Sequence, residues 1–308
     1  MKKRIALGPI LGGLLVALLP AAAGGSGNVS VSTPENGDVT SCRDFRIRFD
    51  DREGERDEET FTVAKGPLQA NLPSHSGIWV VGSDRQEFSV TACKAGRTRK
   101  AMERLSVSSE AGRVTVEGAH EDALVYLIVR APRGGALDLE ARNGPISFSG
   151  ASGTLRARNI NGPISFERCS GDIDAHTENG PISFKNGSGD VRARAVNGPI
   201  DFSGREGELR LNTENGPLSV ALDGDRWGAG SLEAHAVNGP LHLEIPENYR
   251  SGVRVDISGH SPVSCPRSAC ARARRSWDDR DRSIEFGDAD PVVRMSTVNG
   301  PVSIATRD

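Results

Sequence analysis

NGPISFKNGSGDVRARAV, residues 179–196, is the stretch that decides the fold, and a further Asn-Gly-Pro follows it directly. The tripeptide Asn-Gly-Pro occurs seven times in the 308 residues, and its first five copies are 18 residues apart. The tripeptides begin at Asn143, Asn161, Asn179, Asn197, Asn215, Asn238 and Asn299. A fixed period of this length is typical of a repeat architecture, in which each unit stacks on the next.

Each 18-residue unit contains two short alternating runs. In the quoted unit, Ile182 and Phe184 flank Ser183, and after a Ser-Gly pair three small or apolar residues alternate with Arg192 and Arg194. Alternation with period 2 indicates a strand with one buried face. Asn-Gly and Ser-Gly are turn pairs that tolerate positive φ, and proline is accepted at the start of a strand. The unit therefore predicts turn, strand, turn, strand.

Stacking of these units predicts an all-β fold, a β-solenoid of two-strand coils, with internal columns of like residues. Phenylalanines and isoleucines form one wall and smaller apolar residues the other, as a thin, close-packed core requires. The wall residues are Phe148, Phe166, Phe184, Phe202, Ile146, Ile164, Ile182, Ile200 and Leu218, facing Leu155, Ile173, Val191, Leu209, Ala157, Ala175 and Ala193. An amide ladder is expected at the bend, formed by Asn143, Asn161, Asn179, Asn197 and Asn215. Hairpins in an antiparallel sandwich or barrel are the alternative, but they do not explain the period.

The N-terminus has the features of a secretory signal peptide over residues 1–23. Three basic residues precede an apolar run from Ile5 to Leu19, and Ala21-Ala22-Ala23 offers a small-residue cleavage site. An uncleaved segment that anchors the chain in a membrane is the alternative. Export would place the protein in the periplasm, at the cell surface or outside the cell. The formal net charge of −3 is too small to indicate a nucleic-acid partner.

Five cysteines in an exported chain make disulfides feasible. Cys265 and Cys270 are close enough to close a small ring, and Cys42 and Cys93 are candidates for a second bridge, which leaves Cys169 over. Sequence does not fix the connectivity. Zinc at the Cys265 pair is an alternative that lacks a second ligand pair at zinc spacing, so no metal and no cofactor are predicted.

Outside the regular repeats of residues 143–237 the pattern is looser. Residues 24–67 form an N-terminal segment whose highly charged run, Asp50 to Glu59, is expected to be a solvated loop. The solenoid domain is predicted over residues 68–308, beginning with irregular early coils and closing with a last coil in residues 284–308. Two interruptions stand out: a five-residue insertion around Trp227, and a Cys- and Arg-rich insertion at residues 260–283 that contains Trp277. In repeat proteins such insertions are loops and are often the functional part.

The chain resembles the bacterial putative-adhesin family, also called toast-rack or LiaG-like domains. The similarity rests on paired strand segments ending in Gly, such as Val114-Thr-Val-Glu-Gly118, and on the step Val129-Arg-Ala-Pro-Arg-Gly134 into the repeats. It also rests on the Asn-Gly-Pro-Ile-Ser-Phe coils and the terminal Asn299-Gly-Pro-Val-Ser-Ile304. The resemblance covers residues 68–308 and implies a β-solenoid displayed in the cell envelope, in a family often found beside envelope-stress systems. It implies no catalytic residues.

Outward-facing charged residues are expected to stack into rows. One functional interpretation is a strip of arginines that binds an anionic glycan, with Arg156, Arg192, Arg194 and Arg210 as its candidate residues. The alternative is charge pairing on a solvated face, worth tenths of a kcal/mol per pair. Trp227 and Trp277 either anchor a partner or cover an end of the solenoid.

The sequence thus predicts an exported, non-catalytic β-solenoid that binds an envelope protein or a surface glycan. A β-helix-type polysaccharide-active enzyme is the second hypothesis, since Asp172, Asp190 and Glu208 fall in one row at separations that glycosidases use. Any solenoid with acids in a row gives those separations, and the acids alternate with arginines on an open face, unlike a buried general acid. A structural element that self-associates is the third hypothesis.

Overall fold

The computed structural model describes residues 29–33, 39–64, 66–258, 261–266, 270–271, 273–277, 281–287 and 289–307. The predicted signal peptide lies outside these ranges, as do parts of the N-terminal segment and parts of the Cys- and Arg-rich insertion, including Arg267, Arg272 and Arg280. Strands dominate the described residues; a 3-10 turn spans Cys42–Asp44, and helix α1 spans Arg99–Met102. None of the described helices has the length and apolar character needed to span a bilayer.

The strands preceding the regular repeats are β1 (Val29–Ser32), β2 (Arg46–Phe49), β3 (Arg52–Glu53), β4 (Glu55–Val63), β5 (Leu68–Leu72), β6 (Gly77–Ser83), β7 (Phe88–Gly96), β8 (Ser106–Glu110), β9 (Arg113–Glu117), β10 (Ala123–Pro132) and β11 (Gly135–Ala141). Those of the regular repeats are β12 (Ile146–Ser149), β13 (Ser152–Asn159), β14 (Ile164–Glu167), β15 (Ser170–Thr177), β16 (Ile182–Lys185), β17 (Ser188–Ala195), β18 (Ile200–Gly204), β19 (Glu208–Thr213), β20 (Leu218–Leu222) and β21 (Leu232–Asn238). The remaining strands are β22 (Leu241–Pro246), β23 (Gly252–Ser258), β24 (Val263–Ser264), β25 (Arg274–Trp277), β26 (Asp281–Phe286), β27 (Pro291–Asn299) and β28 (Val302–Arg307).

Two long sheets face each other across one core. The serine sheet, named for Ser147, Ser165 and Ser183 on its outer face, runs in the order β24-β28-β22-β20-β18-β16-β14-β12-β6-β10-β7-β4. The charged sheet, named for the arginines and acids on its outer face, runs β25-β26-β23-β27-β21-β19-β17-β15-β13-β11-β5-β9-β8. In the repeats every pairing is parallel and in register, which confirms the β-solenoid and rules out hairpins there.

The predicted internal columns are confirmed. Phe148, Phe166 and Phe184 lie in register on successive strands, and their rings stack at centroid distances of 4.7 and 4.6 Å. On the facing wall Leu155, Ile173, Val191 and Leu209 are in register, with the alanine column beside them, and all are buried. The 18-residue period therefore reports the stacking of like side chains, as expected.

The asparagine ladder is confirmed and is longer than its five predicted members. Each side-chain amide donates to the carboxamide oxygen of the preceding rung, at 2.8 Å for Asn161 to Asn143 and 2.9 to 3.0 Å for the rungs above. Asn238 and Asn299 continue it at 3.0 Å each. The ladder thus passes unbroken through the insertion around Trp227 and through the gap of 61 residues between Asn238 and Asn299.

The predicted reason for the glycine in Asn-Gly-Pro is wrong. These glycines do not have positive φ, whereas those of the Ser-Gly turns do, at 114° for Gly171 and 112° for Gly189. The Asn-Gly-Pro glycines are required by close approach instead. A Cβ on Gly198 would lie closer than 3.0 Å to the carbonyl oxygen of Gly180, and the same holds along the stack. Glycine in this tripeptide therefore allows the backbone of one rung to lie close to the backbone of the preceding rung.

The order of the coils in space differs from their order in the chain at both ends. Near the N-terminus the coil β5–β6 lies between β9–β10 and β11–β12. Near the C-terminus the coil β27–β28 lies between β21–β22 and β23–β24. The expectation that residues 284–308 form the last coil is therefore corrected, because the C-terminal coil is internal.

The charged run Asp50 to Glu59 is not a solvated loop. It forms β3 and most of β4, and β4 pairs antiparallel with β7 as the outermost strand of the serine sheet. Residues 55 to 60 are exposed on both faces. Charged side chains on an edge strand discourage pairing with another chain's edge of the same kind. The run lacks apolar alternation because of this edge position, so its sequence pattern does not predict a strand.

A small second core attaches the N-terminal segment to the outer face of the serine sheet. Phe45 packs on Trp79 and Tyr126 with ring centroids 5.0 and 5.1 Å apart. The disulfide Cys42–Cys93 lies in this core, and Cys265–Cys270 closes a short ring, so both candidate pairs are bonded. Cys169 is free and buried, and burial raises the pKa of its thiol to about 11.

We expect the double variant Cys42→Ala/Cys93→Ala to lose about 4 kcal/mol of stability, because the bridge closes a loop of 51 residues. Cys265→Ala/Cys270→Ala is the matched control, with an expected loss of about 2 kcal/mol, since that loop spans 5 residues. Urea unfolding followed by tryptophan fluorescence measures both, because Trp79 lies in the second core. Equal losses would contradict the loop-length argument.

Candidate functional site

The outer face of the charged sheet brings the predicted arginines into rows. Arg156, Asp174, Arg192, Arg210 and Glu233 occupy one register position on successive strands. The row beside it contains Arg158, His176, Arg194, Asn212 and His235, and the row nearest the Ser-Gly turns contains Thr154, Asp172, Asp190 and Glu208. The structure therefore contains the rows of charged residues that the sequence predicts.

Most of these arginines are paired with acids on the same face. Arg192 lies 3.1 Å from Asp190 and 3.6 Å from Asp172. Arg194 lies 2.5 Å from Glu214. These side chains are about half exposed, so each pair contributes little, on the order of 0.2–1 kcal/mol.

Arg210 lies 3.6 Å from Glu233 and 3.7 Å from Glu208, whereas Arg156 has no ion-pair partner among the described residues. The face alternates in sign and is largely compensated. This arrangement agrees better with charge pairing on a solvated face than with an arginine strip that attracts an anionic glycan.

A cleft lies along the Ser-Gly turn edge, at the point where the 18-residue spacing is interrupted. Its volume is about 430 Å³. Three successive turns line it, contributing Asn186, Gly187, Ser188, Gly204, Arg205, Glu206, Asp223 and Gly224. Asp223 is ion-paired with Arg307, whose guanidinium also donates to the Leu222 carbonyl at 2.7 Å. The walls of the cleft are thus held by the internal C-terminal coil.

The insertion around Trp227 packs against the turn of Arg205, one of the three turns that line this cleft. Trp227 is 4% exposed, packs on Phe202 with centroids 6.0 Å apart, and donates its indole N–H to the Gly207 carbonyl at 3.2 Å. The backbone N–H of Gly228 donates to the Arg205 carbonyl at 2.7 Å. Trp227 is therefore a core residue that fixes the insertion on the turn below, and its buried ring is not exposed to a partner.

Trp277 is placed differently. It is 48% exposed on β25, the outermost strand of the charged sheet, with the Arg282 guanidinium 5.2 Å from its ring centroid. It is distant in the fold from the cleft, because strands β26, β23, β27 and β21 lie between them. The structure therefore does not bring the two tryptophans into one site.

The acidic side chains and the free cysteine are in environments that do not favour catalysis. Asp172 and Asp190 share Arg192 on an open face, whereas a general acid requires an apolar pocket. The buried Cys169 thiol has a raised pKa, which leaves it protonated and unreactive at neutral pH. Within the described ranges no group of three or more His, Cys, Asp or Glu side chains is placed to hold a metal.

Sequence reasoning missed the cleft residues Arg205, Glu206 and Asp223. The signal that could have found them is the change of spacing from 18 to 23 residues after Asn215, which displaces one turn from the stack. Trp227 is the conspicuous residue of this interruption, whereas the cleft lies at the turn that it covers.

No family model matches the sequence, and no curated protein does. Solved structures that are similar include a putative adhesin from Bacteroides fragilis, with 6% identity, 82% of this chain and 97% of that chain covered, and a TM-score of 0.33. A putative cell adhesion protein from Clostridium sporogenes has 10% identity, coverages of 82% and 100%, and a TM-score of 0.20. A putative lipid binding protein from Parabacteroides distasonis has 10% identity, coverages of 82% and 97%, and a TM-score of 0.32. The first two names agree with the family that the sequence resembles, and likenesses of this size carry no functional argument.

Proposed function

We propose that this chain is an exported, non-catalytic β-solenoid that binds a surface glycan at the cell envelope. The observation that carries the proposal is the polar cleft of about 430 Å³ beside the Trp227 insertion. Binding sites are concave and use a few convergent polar groups to orient a ligand. This cleft offers such groups on three successive turns.

The chemistry of the lining suits a hydroxylated, carboxylated ligand. Arg205 is exposed and has no ion-pair partner among the described residues, so its guanidinium is available to a carboxylate, which it can bind with two parallel hydrogen bonds. Glu206 and the side chain of Asn186 add an acceptor and an amide for hydroxyl groups. The described residues that line the cleft include no large apolar side chain, which favours a sugar over a lipid tail.

The charged face gives such a ligand room to extend. Asp190 and Glu208 lie on the strands that follow the cleft's turns, and successive rungs are about 4.8 Å apart. An extended polymer seated in the cleft therefore meets Arg192 and Arg210 on neighbouring rungs. Their ion pairs are weak enough for a ligand carboxylate to replace an acid partner.

Export is supported by the two disulfides, since such bonds persist in oxidising compartments. The basic and apolar N-terminus of the sequence agrees with it. A non-catalytic role is supported by the pairing of the stacked acids with arginine on an open face.

The test is a glycan array followed by calorimetric titration of a glycan that binds. We expect Arg205→Ala to weaken binding about tenfold or more, corresponding to about 1.4 kcal/mol, because a bidentate contact is lost. Arg142→Ala is the matched control, since Arg142 is also exposed but lies at the opposite turn edge, beside the asparagine ladder. Glu206→Gln tests the acceptor side of the cleft.

Three outcomes would contradict the proposal. The first is that no glycan binds, and the second is that Arg205→Ala and Arg142→Ala bind alike. The third is turnover of a polysaccharide that is lost in Asp172→Asn/Asp190→Asn, which would establish the enzyme hypothesis instead. A triple variant of Arg192, Arg194 and Arg210 to Ala separates the charged face from the cleft, with a smaller loss expected than for Arg205→Ala.

A further inference from the structure

The two ends of the solenoid carry exposed edge strands of opposite charge. At the N-terminal end the serine sheet finishes with β4, whose four acids (Glu55, Asp57, Glu58, Glu59) and one arginine give a charge of −4 + 1 = −3. At the C-terminal end the charged sheet finishes with β25, whose two arginines give +2. Each strand is outermost in its sheet among the described residues.

Within the part of the chain that the structure describes, both strands have free backbone along one side. There β4 pairs only with β7, and β25 only with β26, and both pairings are antiparallel. In an antiparallel ladder alternate residues direct their N–H and C=O groups away from the neighbour. An outermost strand therefore presents a row of donors and acceptors that another strand can pair with.

Residues 55 to 60 of β4 are exposed, whereas Phe61 and Val63 at its end pack against the core. All four residues of β25 are exposed, including Trp277 at 48%. Arg275 has no ion-pair partner among the described residues, whereas Arg274 lies 3.6 Å from Glu285 and donates to the Gly287 carbonyl at 3.3 Å. On β4, Asp57 and Glu58 have no ion-pair partner in the described part of the chain, whereas Glu59 lies 2.8 Å from Lys94.

The charges select one pairing out of three. Two β4 strands would bring acids opposite acids, and two β25 strands would bring arginines opposite arginines, both of which are unfavourable. A β4 strand beside a β25 strand brings opposite charges together, and each cross-strand pair contributes about 0.2–1 kcal/mol. The same charges that block like edges therefore permit unlike edges to join.

We propose that a second copy of this chain binds at each end of the solenoid, with the basic strand β25 of one copy paired to the acidic strand β4 of the next. Since the two strands belong to different sheets, the copies are related by a half-turn about the solenoid axis in addition to the translation along it. The contact is heterologous, because unlike surfaces meet, so it leaves one acidic and one basic end free and propagates into linear assemblies. The cleft lies in the middle of the stack, away from both ends, so assembly does not depend on the proposed glycan site.

Sedimentation velocity of the full chain over a concentration series tests the assembly. We expect species larger than the monomer to increase with concentration, and to disappear at high salt, where the Debye length falls to about 3 Å. Two reversed variants follow: Arg274→Glu/Arg275→Glu, with both end strands acidic, and Asp57→Lys/Glu58→Lys, with β4 made basic. Each variant alone is expected to associate at least about tenfold more weakly than the unaltered chain, equivalent to about 1.4 kcal/mol.

Mixing the two reversed variants is the decisive step. One variant then supplies acidic strands and the other basic strands, so the mixture is expected to associate while neither variant does so alone. A misfolded variant would not recover in the mixture, so recovery also shows that both are folded. Circular dichroism of each variant checks the fold separately.

The proposal is overturned if the unaltered chain stays monomeric at all concentrations, in which case the charged strands only protect the edges. It is also overturned if both folded variants associate like the unaltered chain, because another surface would then be responsible. The proposal is likewise overturned if the two folded variants do not associate when they are mixed. None of these results bears on glycan binding, which is measured on Arg205→Ala.

Discussion

Replacing Gly198 with alanine is expected to lower the free energy of unfolding by at least about 3 kcal/mol, because there is no room for a Cβ between two rungs. The new atom would lie closer than 3.0 Å to the carbonyl oxygen of Gly180 and close to its carbonyl carbon. These are backbone atoms, held by the parallel ladder on both sides, so they cannot rotate away as a flexible side chain would. The rung spacing itself has to open.

The clash at Gly198 would also disturb the adjacent asparagine ladder. Asn197 donates to Asn179 at 2.9 Å and accepts from Asn215 at 3.0 Å, so separating the rungs weakens both bonds. Since each coil contacts only its neighbours, the damage is expected to be greatest at the rungs of Asn179, Asn197 and Asn215. Hydrogen exchange measures this local loss of protection.

Gly66→Ala is the matched control, because a Cβ at Gly66 meets no heavy atom of the described residues within 4 Å. We expect that variant to stay within about 0.5 kcal/mol of the unaltered chain in urea unfolding. If Gly198→Ala behaved like Gly66→Ala, close approach would not be the reason for glycine in Asn-Gly-Pro.

The repeated part of the fold could be read from the sequence because stacking makes like residues meet. Phe166 contacts the same residue type above and below, and the ladder at Asn179 does the same, so one period encodes the register of both sheets. Glycine was predicted at the correct places for an incorrect reason. Sequence shows which residue is required, whereas the distance of Gly198 from Gly180 exists only in three dimensions.

The order of the end coils could not be read in this way. Asn299-Gly-Pro-Val-Ser-Ile304 carries the signals of any other coil, so the sequence says that it stacks but not on which neighbour. Parallel strands of similar pattern offer nearly equivalent partners, and the choice depends on the whole stack. The edge strand β4 was missed for the opposite reason, since residues exposed on both faces show no alternation.

The candidate site was only partly predictable. The rows of Arg192 and Arg210 follow from the period, but their ion pairs with Asp190 and Glu233 depend on side-chain conformation. The sequence shows that Trp227 lies where the period is interrupted. Its burial, however, depends on contact with a turn 20 residues earlier, at Gly207. Irregular segments lack the repetition from which the structure of the coils could be predicted.

A chain that ends at Asp290 is expected to lose the folded structure of strands β23 to β26, although these strands precede the deletion. Coil β27–β28 lies between β21–β22 and β23–β24, so its removal separates the end coil from the rest of the stack. Among the described residues, four buried apolar side chains are lost, namely Val293, Met295, Val302 and Ile304. At about 1.5–3 kcal/mol each, the loss of roughly 6–12 kcal/mol is comparable with the whole stability of a domain.

The deletion is also expected to loosen the cleft. Arg307 donates to the Leu222 carbonyl and pairs with Asp223, which lines the cleft, so both contacts vanish with β28. The regular coils β12 to β19 should remain folded, because solenoid coils depend on their neighbours rather than on the whole chain. The two regions should therefore respond differently to the same truncation.

Limited trypsin digestion with mass spectrometry separates these regions. We expect rapid cleavage after Arg254 and Arg282 in the truncated chain, with Arg192 and Arg194 protected as in the full chain. Val298→Ser is the control, because Val298 is 43% exposed in β27 and its substitution keeps the coil. If strands β23 to β26 stayed protected after truncation, β23–β24 would have to stack directly on β21–β22, and the internal position of the C-terminal coil would be unnecessary for the fold.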